Sequence, residues 1–260
     1  MTAATSLDAA LDAVDAAPVA IFAYRDRHGV PTAWPMTPYR DGGLAVVTST
    51  LAFMRKSEDV RRDGRVALLA GGWLLQGTAR VHADPSGDEF ARRFLAAERR
   101  KYPPVEDILS LPLHRWLFDW YFGRVFMELA PAAARPRPGS DAATLITLDA
   151  DGQPLITPIG APPLEADAFV PRDPSGAPLR AIADGPATIL LHAEDAAMRA
   201  LRQVHLRGAV RDGAFTVRSR RGSLDATPPR GWWRQLREQL ALRRRGRDGR
   251  ARVEAWHDVP

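Results

Sequence analysis

The chain has 260 residues, of which 45% are hydrophobic and 8% aromatic, and its formal net charge is +5. This composition is typical of a globular protein of one or two domains with a sizeable core. The chain contains no cysteine, which excludes disulfides, thiolate catalysis and zinc–sulfur sites. The N-terminal stretch has no early Lys or Arg, and no run reaches the length of a membrane span. We therefore expect a cytoplasmic protein without membrane association.

Three elements are predicted at the start of the chain: a helix over residues 6–16 capped by Ser6, a strand over 19–24 and an extended segment over 32–39. The extended segment contains Pro35 and Pro38 and follows Pro31. Because proline cannot donate a ladder hydrogen bond, this segment is expected at a sheet edge or a bulge. By the two-residue period of a strand, Trp34, Met36 and Pro38 fall on one face.

The segment between residues 44 and 69 is the most informative about function. It is predicted as a strand over 44–47, a loop, a helix beginning near Ala52 and a second strand over 66–69. Hydroxyls crowd the end of the first strand and cations follow on the helix: Thr48, Ser49, Thr50, Arg55 and Lys56. Hydroxyl donors that face cations suit a phosphate, because donors position it and positive charge neutralises it. The alternative is an ordinary strand–helix junction with solvated cations.

A hairpin and a helical region are predicted next. Gly71 and Gly72 predict a tight turn before a strand over 73–84. In that strand the small residues Gly77 and Ala79 leave room for something to approach the sheet, or simply suit barrel packing. The later predictions are a capping box of Ser86 and Glu89, a helix to Arg100, helical pieces to Tyr121, a strand over 124–129 and a linker over 131–140.

Part of the chain is repeated. The stretch from Ala20 to Met36 aligns without gaps on the stretch from Ala143 to Ile159, with turn glycines and edge prolines in register. Further on, LLQGTAR around Gly77 resembles HLRGAVR around Gly208. Where the first copy has TSTLAFMRK, the second has VPRDPSGAPLR. The scaffold is therefore predicted to be duplicated, whereas the phosphate feature is not.

The C-terminal region is predicted to be helical from about Gly231. A partial apolar stripe is formed by Trp232, Leu236, Leu240 and Leu242, and the run RRRGRDGRAR follows over residues 243–252. Such runs are usually solvated, and the alternative is a nucleic-acid-binding arm. The six histidines are scattered, with no pair at metal-ligand spacing, and no nucleophile elbow or dinucleotide-binding glycine motif is present.

An ordered set of segments in the first copy resembles the pyridoxamine 5′-phosphate oxidase-like, flavin-binding split β-barrel superfamily. The segments are GVPTAWPMTPY, GGLAVVTST, RKSEDVRRDGRVALL, LLQGTARVHAD, DEFARRFLAAERRKYP and RVFMELAP. The resemblance covers roughly residues 18–220. It implies a mostly β fold with helices (α+β), here a tandem split β-barrel that forms a pseudo-dimer within one chain.

The same resemblance implies flavin mononucleotide (FMN), or the deazaflavin coenzyme F420, at the seam between two barrels. By position, Thr48, Ser49 and Thr50 would donate to the cofactor phosphate and Arg55 and Lys56 would pair with it. The residues implied near the ring are Trp34, Met36 and Pro38, together with Gln76 from the strand after the hairpin. The basic residues that recognise the vitamin phosphate in the true oxidase have no counterpart here, so pyridoxamine phosphate is not predicted as the substrate.

Three functions follow as hypotheses. The leading one is a flavin-dependent oxidoreductase acting on a small organic molecule, as a monomeric pseudo-dimer or a homodimer. The second is a non-catalytic split-barrel protein that binds flavin or haem, and the third is nucleic-acid association through the arginine-rich tail. The predicted division is a cofactor-binding barrel over residues 1–135 with a helical insertion over 86–121, a degenerate repeat over 136–225 and a basic tail over 226–260.

Overall fold

A computed structural model describes residues 3–110, 118–137, 143–179, 182–195, 201–225 and 232–256. The helices are α1 (Ala3–Ala16), α2 (Arg55–Arg62), α3 (Asp88–Arg93), α4 (Leu95–Lys101), α5 (Val105–Leu109), α6 (Asp119–Phe122) and α7 (Trp232–Glu254). A 3-10 turn, Leu51–Phe53, precedes α2. In the part of the chain so described, no helix is both long enough and apolar enough to cross a membrane.

The strands of the first half form one antiparallel sheet of seven strands in the order β2-β1-β5-β6-β7-β4-β3. They are β1 (Ala20–Arg25), β2 (Pro31–Met36), β3 (Pro38–Asp41), β4 (Leu44–Thr50), β5 (Arg65–Ala70), β6 (Trp73–Asp84) and β7 (Arg124–Pro136). Strands β2 and β3 are separated only by Thr37, yet they lie at opposite edges of the sheet. The sheet must therefore curl until its edges meet, as in a split barrel. The proline-rich segment lies at these edges, as predicted.

The second sheet has six strands in the order β10-β13-β12-β11-β8-β9. They are β8 (Ala143–Leu148), β9 (Pro154–Pro158), β10 (Ala168–Phe169), β11 (Gly185–Glu194), β12 (Leu201–Arg211) and β13 (Ala214–Ser223). Read from its β9 edge, this sheet repeats the strand order of the first from its β2 edge. The α+β fold with two similar antiparallel sheet bodies is confirmed.

Each sheet encloses its own apolar core, and a third core joins them. Phe22, Leu68 and Met127 lie inside the first sheet, and Leu206 and Phe215 lie inside the second. The joining core packs the outer faces of the sheets against each other, and its members are Ile21, Ala23, Ala33, Ala67, Leu69, Leu74, Ile146, Ile156 and Leu190. Fully burying each large aliphatic side chain contributes about 1.5–3 kcal/mol, so this seam is an apolar interface and not a loose contact.

The repeated hairpins have the same geometry. In the first, the Asp26 carboxylate accepts from the backbone N–H groups of His28 and Val30, and in the second Asp149 accepts from those of Asp151 and Gln153. The turn ends in both copies at a glycine of positive φ, 75° at Gly29 and 73° at Gly152. Such a φ favours glycine, so the aligned glycines hold the same turn twice.

The glycine bulges are also shared. The register shifts before Gly77 on β6 and before Gly208 on β12. A Cβ at Gly77 would lie 2.1 Å from the Ala130 carbonyl oxygen, and one at Gly208 would lie 1.9 Å from that of Thr216. The close approach predicted at Gly77 is therefore made by the neighbouring strand, as in the barrel-packing alternative.

Several boundary predictions are wrong. The segment predicted as a linker from residue 131 belongs to strand β7 as far as Pro136, because β7 stays paired with β6 up to Trp73. Residues 138–140 of the predicted linker lie outside the described residues. The Ser86–Glu89 capping box does not form. Asp84 supplies the cap, since its carboxylate accepts from the backbone N–H groups of Gly87 and Phe90.

Helix starts also differ from the prediction. Helix α1 begins at Ala3, before Ser6, consistent with the high helix propensity of alanine. The residues from Leu51 to Phe53 form a 3-10 turn, and the α-helix begins only at Arg55. Arg55 and Lys56 therefore lie in the first turn of α2, where the positive end of the helix dipole already favours an anion.

Candidate functional site

A cleft of about 690 Å³ lies at the seam of the two sheets, and four parts of the chain line it. The corner between β4 and α2 contributes residues from Leu51 to Lys56. The β1–β2 hairpin and the facing strands of the second sheet contribute Trp34, Arg207 and Arg221, and helix α7 contributes Arg245 and Asp248. The cleft thus draws on both sheets and on the C-terminal helix, and its size is within the usual range of ligand pockets.

The ammonium of Lys56 lies 5.5 Å from the centroid of the Trp34 ring. Among the described residues it makes no ion pair with a carboxylate. Burial, and secondarily the charge of Arg124, lowers the pKa of Lys56 to about 8. A half-buried cation over an aromatic face, with no acidic partner in the described residues, is well suited to receive an anion. Arg55 beside it is exposed and lines the same cleft.

Trp34 also contacts the second sheet. Its ring lies 4.7 Å from that of His205, with the two planes inclined at 49°. His205 is buried, and burial together with the charges of Arg207 and Arg221 lowers its pKa to about 4. At neutral pH this imidazole is therefore uncharged. Its Nε2 atom is buried without a hydrogen-bond partner in the described part of the chain.

Arg207 is the cation that the second sheet places in the cleft. Its guanidinium donates to Asp26 Oδ2 at 3.1 Å and lies 3.5 Å from Thr32 Oγ1. This contact ties β12 to the first β-hairpin across the seam. Because the Asp26 carboxylate already balances Arg207, the positive charge of the cleft comes mainly from cations without a carboxylate partner in the described residues. These are Arg27, Arg55, Lys56, Arg221 and Arg245.

Tyr24 borders the cleft as well, and the pKa of its phenol is raised far above its usual range by burial and by the carboxylate of Asp59. This hydroxyl therefore stays protonated and can donate a hydrogen bond at any physiological pH. Within the described residues, no group of three or more His, Asp or Glu side chains is arranged to hold a metal ion. The cleft is suited to binding an anion and a planar ring.

The C-terminal helix docks on the corner through its arginine-rich half. Gly249 lies so close to the Leu51 carbonyl oxygen that an added Cβ would be 2.2 Å from it, and one at Gly246 would be 2.8 Å from Trp120 Cβ. Val253 is fully buried with Leu51. The glycines in the arginine run are thus explained by close helix packing.

The arginine run is only partly solvated, contrary to the usual behaviour of such runs. Arg252 pairs with Glu58, Arg243 with Asp119, and Arg250 donates to the Pro85 carbonyl. The predicted apolar stripe lies in the other half of the helix. There Leu236 and Leu240 remain 44% and 48% exposed, Leu242 is half-buried, and the side chain of Trp232 is outside the described residues.

The structure brings together three of the predicted site residues, Trp34, Arg55 and Lys56, at the cleft. The other six do not line it: Thr48, Ser49, Thr50, Met36, Pro38 and Gln76. Ser49 donates to the Phe53 carbonyl at 3.0 Å and so holds the 3-10 turn. Thr50 Oγ1 is buried without a partner among the described residues. Cofactor binding by these six residues stays a prediction.

Two of these residues have clear structural roles. Met36 belongs to the core inside the first sheet. Gln76 donates to the Pro154 carbonyl at 2.9 Å and accepts from Arg135, so it links the two sheets outside the cleft. In the repeat, Gln76 aligns with Arg207, and it is Arg207 that lines the cleft. The alignment of the two repeats could therefore have pointed to Arg207. Nothing in the sequence distinguishes Arg221 and Arg245 from the other arginines.

Comparison with known proteins gives structural similarities only. No protein-family model and no curated protein matches the chain. Among solved structures, the conserved hypothetical protein Rv2991 of Mycobacterium tuberculosis is 21% identical, with 52% of this chain and 83% of that chain covered and a TM-score of 0.38. An F420 reductase is 17% identical, with 48% and 94% covered and a TM-score of 0.36.

A third neighbour is a Clostridium acetobutylicum protein related to general stress protein 26, of the pyridoxinephosphate oxidase family. It is 12% identical, with 50% of this chain and 86% of that chain covered and a TM-score of 0.35. Of these three neighbours, the third is the one whose description names the pyridoxinephosphate oxidase family. At such low identity and partial coverage they assign no function to this chain, so the function is argued from the site itself.

Proposed function

We propose that the protein binds FMN, or the deazaflavin F420, in the seam cleft and acts as a flavin-dependent oxidoreductase on a small organic molecule. One observation carries the proposal: Lys56 is a half-buried cation without an acidic partner among the described residues, and it lies over the ring of Trp34 inside a cleft of about 690 Å³. A phosphate beside an aromatic ring system would satisfy both groups together.

The residues at the corner fit a cofactor phosphate in three respects. Arg55 and Lys56 provide the charge and lie in the first turn of α2, where backbone N–H groups add to it. Ser57 Oγ and Thr50 Oγ1, close to this helix start, are buried without hydrogen-bond partners in the described structure, although neither residue lines the cleft. An orphaned buried hydroxyl is costly, so a ligand that engaged these groups would gain affinity.

The chain's own residues would bind and position the cofactor, which itself supplies hydride transfer when bound. Lys56 and Arg55 would hold its phosphate, and the Trp34 face would limit where a planar ring can lie. The neutral imidazole of His205 and the protonated phenol of Tyr24 present no charge at neutral pH. Helix α7 covers one side of the corner and restricts the access of water.

An absorbance spectrum tests the proposal. The purified full-length chain, alone and after incubation with FMN or F420, should show a bound chromophore, and a reduced cofactor should transfer its hydride to an acceptor. Lys56→Ala should lower the cofactor affinity, whereas Arg80→Ala, which removes an exposed cation outside the cleft, should not. Binding without turnover would favour a non-catalytic carrier, and the absence of binding to either cofactor would refute the proposal.

We further propose that the chain is a tandem duplication that forms its own pseudo-dimer, with one intact and one degenerate cofactor site. The shared strand order, hairpins and glycine bulges support this. The proposed division remains a barrel over residues 1–135, a repeat over 136–225 and a tail over 226–260. Sedimentation of the protein as a monomer would agree with the pseudo-dimer, and a stable homodimer would require a second interface.

A further inference from the structure

The cleft holds more positive charge than one phosphate requires. Of its arginines, Arg207 is paired with Asp26 and Arg252 with Glu58. Three others, Arg27 in the β1–β2 turn, Arg221 on β13 and Arg245 on α7, have no carboxylate partner in the described structure. Together with Arg55 and Lys56 they leave five cations around one concave space, against one carboxylate, Asp248, that has no cationic partner among the described residues. Because like charges repel in the absence of a counter-ion, such a set indicates a ligand with more than one anionic group.

The position of Arg245 follows from the way α7 docks. Gly249 packs against the Leu51 carbonyl, and residues four apart lie on the same face of a helix. Arg245 is one turn before Gly249, so the close glycine contact brings its side chain to the cleft. Arg221 reaches the same cleft from the second sheet, on the strand that pairs with His205. Two separate elements therefore each contribute one guanidinium.

We propose that Arg221 and Arg245 form a second anion subsite, which receives a carboxylate or phosphate group of the substrate. The inference rests on the proposed function, in which Arg55 and Lys56 hold the cofactor phosphate. A guanidinium presents a planar fork that matches either oxyanion, so the subsite selects for charge and for planar or tetrahedral oxygen geometry. A neutral analogue of the substrate would leave both guanidinium groups unpaired and be rejected.

The subsite is tested on the FMN-loaded full chain by calorimetric titration with inorganic phosphate and, in a separate arm, with succinate. One equivalent of at least one anion should bind, and Arg221→Ala and Arg245→Ala should each weaken it about tenfold or more. Both should leave FMN affinity within about threefold, since each residue lies outside the proposed phosphate corner. Binding in one arm only would identify which oxyanion the subsite prefers.

Arg247→Ala is the matched control, because Arg247 is an exposed arginine on the same helix that does not line the cleft. It should bind the anion like the wild type, and Arg245→Lys should retain part of the affinity through its charge. Equal loss in the Arg247 and Arg245 variants, or no saturable anion binding, would overturn the subsite.

Failure of both FMN and F420 to bind is a separate result. It would refute the proposed function, and the titration would then be repeated on the FMN-free Lys56→Ala variant, in which the phosphate corner is weakened. Phosphate or succinate binding that still depends on Arg221 and Arg245 would uphold the second subsite. Binding that does not depend on them would overturn it as well.

Discussion

The two sheets share their scaffold and differ in their chemistry. Each opens with an aspartate-capped hairpin and carries one glycine bulge, at Gly77 and at Gly208. After the hairpin they diverge. The first sheet continues through β4, a 3-10 turn and α2, whereas in the second the corresponding place is taken by β10, which has only two residues.

The cleft depends on this difference. The first sheet supplies Lys56 and Trp34, and the second supplies Arg207 and Arg221 from strands whose counterparts in the first sheet carry Gln76 and Arg135. Either sheet alone would make half of the site. Turns and bulges set the framework common to the two sheets, while a few side chains that differ between them decide where a ligand can bind.

The largest expected effects are losses of stability caused by substitutions that disrupt the glycine bulges shared by the two sheets. Gly77→Val and Gly208→Val should each destabilise the protein by about 3 kcal/mol or more, because the new Cβ would overlap a carbonyl oxygen of the paired strand and the bulge must move. Chemical denaturation measures the change. Gly43→Ala, where an added Cβ meets nothing within 4 Å, is the control and should stay within about 0.5 kcal/mol of the wild type. Similar stability for all three would contradict the assigned bulges.

The next effect concerns the phosphate corner. Lys56→Gln should weaken FMN binding by roughly 10- to 100-fold, the value of one charge-assisted hydrogen bond, in an equilibrium titration. It should also stabilise the cofactor-free fold at neutral pH, since an uncharged side chain no longer has to be desolvated as an ammonium. Weaker FMN binding without this increase in the stability of the cofactor-free protein would indicate that Lys56 is solvated before the ligand binds.

The pH dependence of Lys56 has a definite sign. Its folded pKa of about 8 is below the ordinary lysine value of 10.5, so between these values the unfolded state binds more protons. Wild-type stability should therefore rise with pH across that window relative to Lys56→Gln, whereas FMN affinity should fall as the ammonium is lost. Unfolding curves and FMN titrations at pH 7 and pH 9.5 measure both trends. If stability changed with pH in the same way in the wild type and in Lys56→Gln, a depressed pKa of Lys56 would be excluded.

The buried imidazole of His205 should act at lower pH. Because its folded pKa of about 4 is below the ordinary 6.5, stability should decrease as pH falls from 6.5 towards 4, when the unfolded state takes up the proton first. The loss is on the order of 3 kcal/mol at most. His205→Gln should flatten this part of the stability profile, and an unchanged slope would assign the acid sensitivity to other groups.

The smallest expected effects distinguish the roles of two residues, Gln76 and Arg207, that align in the two repeats. Gln76→Ala should cost about 1 kcal/mol of stability by removing its hydrogen bond to the Pro154 carbonyl, with no change in FMN affinity. Arg207→Ala should instead reduce FMN affinity several-fold, because it leaves the Asp26 carboxylate, which also lines the cleft, without its partner and so opposes a bound anion. FMN titration of both variants measures the two affinities side by side. Equal effects of the two substitutions on FMN affinity would contradict the different roles assigned to Gln76 and Arg207.

Much of the framework could be predicted from sequence because local rules determine it. Gly29, Gly71 and Gly152 mark turns that require a positive φ, and the alternation in β6 shows which face is buried. The linker from residue 131 could not be recognised as strand, since its proline and alanine composition is that of a loop and only pairing with β6 makes it extended.

The site was predicted less well, because it is assembled from parts far apart in the sequence. Lys56 and Trp34 could be selected within one copy, but the contribution of Arg221 depends on how the two sheets face each other. Arg245 depends on a helix whose docking rests on two glycines within an arginine run, Gly246 and Gly249. Composition suggested a solvated tail, and only the packing shows that this run forms a wall of the cleft.

The central claim is that one asymmetric seam cleft, built from both sheets, binds a phosphate-bearing flavin. The stoichiometry of FMN binding at saturation tests it most directly. We predict one FMN per chain, lost together in the double variant Lys56→Ala/Arg207→Ala while the far-ultraviolet circular dichroism stays unchanged. Two FMN per chain, or one that survives in that folded double variant, would show that the cofactor binds elsewhere and would contradict the account.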